Sequence, residues 1–334
     1  MTRRTIVKLL FSYSLTFLLS CFLVGCGPTY PKEKLNEAIK ALCKKEYKLT
    51  VDTKVSGDTV AVYLPIENLF DAVLNLDSKA SKKLNDVILG VSRVAISTDA
   101  KFNFYIVITQ DPKMPEVEIV YIRYVDDIKR FLLGAVSRDE YAKRAVIAIK
   151  TPPQAERERV LKDLFSKLNV ENPDEMIKAY LESEEGISGI GDISYWNNKF
   201  FVKEIGLSEF LASQVEERIK IDFKQDKDLN KWYELKACDG KFVKSQNGNR
   251  FVFNVNISNR VEPLYLASGI ELDAYKKKVL VFKKLVNIVG DILSAYKFED
   301  FDRVDIASPT HKMRISKDKL RKIKSGKTKI EELI

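Results

Sequence analysis

One histidine, His311, stands in 334 residues, so neither a multi-histidine metal centre nor a histidine relay can be assembled from this chain. Carboxylate chemistry stays open. Asp126-Asp127 and Glu184-Glu185 are adjacent acids, but side chains one position apart on a helix point in different directions and do not converge on one substrate. Gly186-Ile187-Ser188-Gly189-Ile190-Gly191 offers backbone N–H groups of the kind that cradle an anion. It lacks the Lys-Ser/Thr of a phosphate loop and no clear strand precedes it, so it reads as a turn leading to Tyr195-Trp196 and a Phe200-Phe201-Val202 strand. No nucleophile elbow and no paired metal-binding cysteines occur. The expectation is therefore no catalytic residue, no metal and no cofactor.

The charged residues say more. From Lys312 to Lys329 there are nine cations, Lys312, Arg314, Lys317, Lys319, Arg321, Lys322, Lys324, Lys327 and Lys329, against one acid, Asp318. Lys317, Lys319, Arg321, Lys322, Lys324 and Lys327 are candidate ligands for an anionic surface, whether lipid phosphate, wall polymer or an acidic protein. A solvated terminal helix with solubilising lysines reads equally well, because no aromatic residues are interleaved.

Met1 to Lys8 is basic, and the stretch from Leu9 to Gly25 contains no charge. That is a secretory leader, too short and too often interrupted by serine and threonine for a bilayer span of about 20 residues. It ends in Leu23-Val24-Gly25-Cys26, which resembles the lipobox of bacterial lipoproteins. The resemblance covers the first 26 residues only, and no family is recognisable in the mature body. It implies that the Cys26 thiol is acylated, that the leader is cut before it, and that the new amine is acylated as well. Several acyl chains give stable anchoring, since each buried CH₂ contributes about 0.8 kcal/mol and one chain holds only marginally. Gly27 follows, where an Asp would signal inner-membrane retention in Gram-negative relatives; the periplasmic face of the outer membrane is favoured accordingly. Nucleic acid is not an expected partner of an exported, anchored chain. Cys21 leaves with the leader, as do Arg3, Arg4 and Lys8, which lowers the formal charge from +9 to +6. The envelope permits a disulfide between Cys43 and Cys238, although Cys43 lies in an amphipathic helix where a buried free thiol is the commoner use.

These residues need elements to hold them, and a chain that is 45% hydrophobic and 31% charged has a globular balance, with length for two or three domains of about 100–150 residues. Lys32 to Tyr47 reads as a helix, Leu49–Thr53 and Val60–Leu64 as a hairpin about Gly57-Asp58, Ser81 to Ser97 as a helix, and Phe102–Thr109 with Val117–Tyr124 as two more strands. The order returns later: a helix over Leu207–Glu217, strands at Ile219–Phe223 and Phe251–Val255, a long helix over Asp273–Tyr296, and a hairpin of Val304–Ile306 with Lys312–Ile315. After each last strand, Asp126–Phe131 matches Asp318–Ile323 and Gly134 falls on Gly326 without a gap. A short helix ended by glycine and a new cap at Ser137 or Thr328 is expected in both places. Thr151-Pro152-Pro153 marks a boundary, with two helices beyond it. Residues 226–246 find no counterpart in the first half, so their Trp232 and Tyr233 are the candidate copy-specific partner contact.

The expected fold is α+β: two related αββαββ modules with mainly antiparallel sheets, joined by a helical connector. The boundaries are 1–25 for the leader, 26–31 for the lipidated tether, 32–150 for the first module, 151–206 for the connector, and 207–334 for the second module. The expected function is a non-catalytic envelope scaffold or adaptor for a protein or envelope polymer. A small-ligand carrier using the groove between modules, or a carboxylate-based envelope hydrolase, are the alternatives.

Overall fold

Residues 29–71, 75–167, 172–182, 189–246, 248–260, 271–309 and 311–330 are described by a computed structural model. The leader and Cys26 lie outside these residues, as does the first part of the glycine-rich stretch at Gly186.

Helix α1 (Leu35–Leu42) forms because Leu35, Ile39, Leu42 and the following Cys43 fall on one face, and all four are buried. Strands β1 (Asp52–Ser56) and β2 (Thr59–Pro65) turn back at Gly57, whose φ of +54° is the left-handed geometry a tight hairpin requires. Helix α2 (Ser78–Ser97) starts at Asp77, where the carboxylate accepts the N–H of Lys79 at 2.8 Å and of Ala80 at 3.1 Å. Strands β3 (Phe104–Asp111) and β4 (Met114–Tyr124) follow, then the short helices α3 (Val125–Leu132) and α4 (Arg138–Lys143). The Ser137 hydroxyl caps α4 by accepting the Glu140 N–H at 3.2 Å. A fifth strand, β5 (Val146–Lys150), then pairs with β4. The sheet has the order β1-β2-β3-β4-β5, with β2 and β3 parallel and every other pair antiparallel.

The connector holds more than helices. Helix α5 (Pro153–Lys167) takes proline at its first position, where the missing N–H costs nothing. Helix α6 (Pro173–Glu182) is followed by the hairpin β6 (Ser194–Trp196) and β7 (Lys199–Phe201).

The second module comprises α7 (Leu207–Gln225), α8 (Lys227–Trp232), β8 (Tyr233–Val243), β9 (Arg250–Asn259), α9 (Glu271–Ala295), β10 (Arg303–Ala307), β11 (Lys312–Ser316) and α10 (Lys317–Lys324). Its sheet has the order β11-β10-β9-β8. Here too the second pair along the chain, β9 with β10, is the parallel one. Both sheets thus run antiparallel, parallel, antiparallel through their first four strands.

Two sequence expectations are corrected. The strand expected at Ile219–Phe223 is the C-terminal part of α7: Leu211, Val215, Ile219 and Phe223 recur every four residues and all are buried, so the helical period wins over the local alternation. Residues 226–246 are no insertion, because they contain β8, which pairs with β9 as β1 pairs with β2. The fold class is α+β with mainly antiparallel pairing, as expected.

The first sheet is buried on both faces. Val60, Val62, Tyr105, Val107, Ile119 and Tyr121 pack with α1 and α2. Ala61, Phe104, Ile106, Val120, Ile122 and Val146 share a second core with Phe210, Leu211 and Val215 of α7 and with Phe251, Phe253, Leu285 and Val289 of the second module. Each fully buried side chain of this size contributes about 1.5–3 kcal/mol, so the two modules are joined by a continuous apolar core. Among the described residues no helix is long and apolar enough to cross a membrane.

Candidate functional site

Three places bring polar groups together. The first is a buried seam between the modules. Arg144 donates to Asp127 at 2.8 Å and to Glu140 at 3.0 Å, and Tyr296, just past the end of α9, donates to the other Asp127 oxygen at 2.5 Å. Gln214 of α7 donates to the Arg144 carbonyl at 2.8 Å and to the Tyr296 hydroxyl at 3.0 Å. Burial, with the Asp127 carboxylate beside it, pushes the Tyr296 phenol well above its ordinary value. The adjacent acids Asp126 and Asp127 do diverge as expected: Asp126 pairs with Arg130 at 2.9 Å near the surface, while Asp127 is fully buried. This network fixes how α3, α7 and α9 meet.

The second place is a cleft of about 520 Å³ where β4, β5, α7, β8 and the turn at Gly189–Gly191 meet. Its walls carry Glu209, Glu216, Glu217 and Asp239 along with Lys150 and Lys241. Three of those acids are held by local partners: Glu209 by Lys203 at 3.0 Å, and Glu216 and Glu217 by Lys220 at 2.6 and 2.8 Å. Behind Lys150 lies Glu118, fully buried, accepting the Tyr195 N–H at 3.3 Å with one oxygen. Its other oxygen has no hydrogen-bond partner and sits 3.8 Å from the Lys150 ammonium. Burial pushes the Glu118 carboxyl up to about 7, against the pull of Lys150, and burial also lowers the Lys150 ammonium. Lys150 in turn donates to the carbonyls of Gly191 and Ile193. The pair therefore ties β4 and β5 to the connector, and sequence reasoning missed it because Glu118 and Lys150 meet only through the unforeseen β5.

The third place is the outer side of the second sheet with the basic end of the chain. One face of this sheet, through Cys238, Phe251, Phe253, Val304, Ile306, Met313 and Ile315, is core. The alternate residues Asp239, Lys241, Asn254, Asn256, Lys312 and Arg314 are exposed. Asp305 is the buried member of that open face, with Arg303 at 3.3 Å and Arg250 at 3.9 Å.

Of the six cations singled out from sequence, three are engaged within the fold. Lys317 donates to the Glu299 carbonyl at 2.9 Å, Arg321 pairs with the Glu299 carboxylate, and Lys324 pairs with Asp291 while its stem lies over Gly290. Leu320 and Ile323 are buried, so α10 is a docked amphipathic helix capped by Ser316, not a free cationic arm. Lys319, Lys322 and Lys327 are left for solvent or a ligand. Trp232 and Tyr233 are both half-buried, and Tyr233 packs against the core. Cys43 and Cys238 are free, buried in different cores, and burial pushes their thiols up to about 11 and about 12. Among the described residues no group of three or more His, Cys, Asp and Glu side chains is placed to hold a metal ion.

Comparison with protein families, with curated proteins and with solved structures finds no match to this chain.

Proposed function

We propose that this protein is a lipid-anchored adaptor of the bacterial cell envelope, held at the membrane through Cys26 and presenting the open face of its second sheet to a protein or envelope polymer. One observation carries the adaptor part. Counting back from the matched glycines Gly134 and Gly326, Val120 and Ile122 of β4 fall on Lys312 and Arg314 of β11. The first pair is buried against α7 and the second is exposed and cationic. The same place in the two sheets is core in one and surface in the other, and an exposed pair of cations on an open sheet face draws an anionic partner where buried apolar residues would pack. The anchor rests on the leader sequence alone.

A second reading, a small-ligand carrier, is favoured by the volume of the cleft between the modules. It fits less well, because the acids on its walls are largely engaged with neighbouring lysines and the seam at Asp127 holds the walls together.

The test is crosslinking in cells, with a photoreactive residue placed at Asn256, exposed on the open face and outside the cleft lining, or at exposed Leu89 on α2. Adducts from position 256 and none from position 89 support the adaptor. Equal adducts, or none at either position, count against it. Fatty-acid labelling of wild type and Cys26→Ser tests the anchor separately, and equal label on both rejects lipidation at Cys26.

A further inference from the structure

We propose that β11 accepts a fifth strand from another molecule: an extended peptide segment with acidic side chains at alternate positions, paired antiparallel along Lys312–Ser316. This rests on the adaptor reading and names the partner chemistry and the contact.

The first sheet provides the template. There β4, the counterpart of β11, is an interior strand because β5 pairs with it antiparallel, Val146 opposite Ile122 and Ala148 opposite Val120. In the second sheet, β11 is an edge, and among the described residues no strand covers its outer side.

The backbone of that edge faces outward in a defined pattern. Ser308 and His311 exchange hydrogen bonds across the hairpin at 2.7 and 3.3 Å, and Lys317 donates to the Asp302 carbonyl at 2.8 Å. Antiparallel pairs bond at every second residue, so Met313 and Ile315 also bond inward to β10. Lys312 and Arg314 therefore turn their N–H and C=O groups to the open side, and Ser316 adds its N–H, its C=O being the N-cap carbonyl of α10. Such a row of unpaired groups is what an added strand uses.

Charge selects the occupant. Lys312 and Arg314 are exposed, and neither forms an ion pair among the described residues. Asp305, directly opposite Arg314 in the β10–β11 register, is already placed between Arg250 and Arg303. Lys319 and Lys322 of α10 follow the strand directly and add to the field. In the register of β5, an incoming strand sets two alternate side chains directly opposite Lys312 and Arg314. Acidic residues there form cross-strand pairs, and basic ones are repelled. The same repulsion disfavours a second copy, because antiparallel pairing of β11 with itself brings Lys312 against Arg314.

The experiment uses the full chain and a labelled peptide of about ten residues with glutamate and valine alternating, a length that spans one strand. Fluorescence anisotropy should show saturable binding, weakened at least about tenfold in the Lys312→Glu/Arg314→Glu variant, two cross-strand pairs being lost and replaced by repulsion. That variant should instead bind the matching lysine–valine peptide. N-methylation of alternate peptide residues, which removes main-chain donors and leaves charge unchanged, should abolish binding. Amide exchange at Lys312 and Arg314 should slow in the complex. Equal binding of the N-methylated peptide, no exchange protection at β11, or binding of anionic phosphatidylglycerol vesicles but of no peptide would each overturn strand addition. The crosslinking arm at Asn256 reports on the adaptor function independently, so loss of one is distinguishable from loss of the other.

Discussion

Gly134 and Gly326 close the same turn in the two modules, with φ of +71° and +72°. In each, the glycine N–H donates three residues back, to Phe131 or Ile323, at 3.0 Å. The following N–H donates five back, to Arg130 or Lys322, at 2.8 Å. This is how a helix ends when its last carbonyls are satisfied from a left-handed residue.

Alanine at either position should therefore destabilise by about 1–2 kcal/mol, the cost of a left-handed conformation for a residue with Cβ. No atom lies within 4 Å of the added carbon at Gly134 or Gly326, so the backbone term stands alone. Urea midpoints of Gly134→Ala and Gly326→Ala should fall together; a fall at only one shows that the turns are not energetically equivalent.

The seam at Asp127 gives a larger effect. Arg144→Met leaves the Asp127 carboxylate buried with only Tyr296 as donor, and breaking a buried pair from one side costs about 3–5 kcal/mol. The double variant Asp127→Leu/Arg144→Met removes both charges and should recover much of that loss. A single variant as stable as the wild type by denaturant unfolding would remove the seam from the account of stability.

Glu118 makes stability depend on pH. Its carboxyl ordinarily titrates near 4.5, and burial raises it to about 7 in the folded chain. Between these values the native state holds the proton that the unfolded state has lost, so stability should fall as pH rises from about 4.5 to about 7 and level off above. The drop attributable to this group is at most about 3.5 kcal/mol, at roughly 1.4 kcal/mol per unit. Glu118→Gln should flatten the profile in that window. An unchanged profile would mean that Glu118 is ionised in the native state throughout.

Much of this architecture was legible because the signals were local. Leu35, Ile39 and Leu42 announce α1 by spacing, Gly57 announces the first hairpin, and Ser137 announces the cap of α4. What failed depended on distant partners. Ile219, Ile221 and Phe223 satisfy both a strand and a helix, and only the burial of Ile219 and Phe223 in line with Leu211 and Val215 decides between them. Without that decision β8 has no counterpart in the first half and reads as an insertion. The Glu118–Lys150 pair and the open edge of β11 are invisible in sequence, since each is defined by which strand lies next to which.

The shared core predicts that the two modules unfold together. Phe210 belongs to α7 of the second module, is fully buried, and its ring lies 5.1 Å from that of Phe104 in the first sheet, 6.4 Å from Tyr124 and 6.3 Å from Tyr296. Neither module can leave the native state without exposing the other's apolar face, so amide protons of β3 and of β9 should report the same opening free energy under native conditions. Phe210→Ala removes the ring from the centre of that contact and should cost about 3–5 kcal/mol. If the modules are one cooperative unit, this variant lowers the opening free energy of β3 and β9 by equal amounts. A fall confined to β9 would mean that the first sheet keeps its fold without α7, and that its second buried face is stabilised by other contacts.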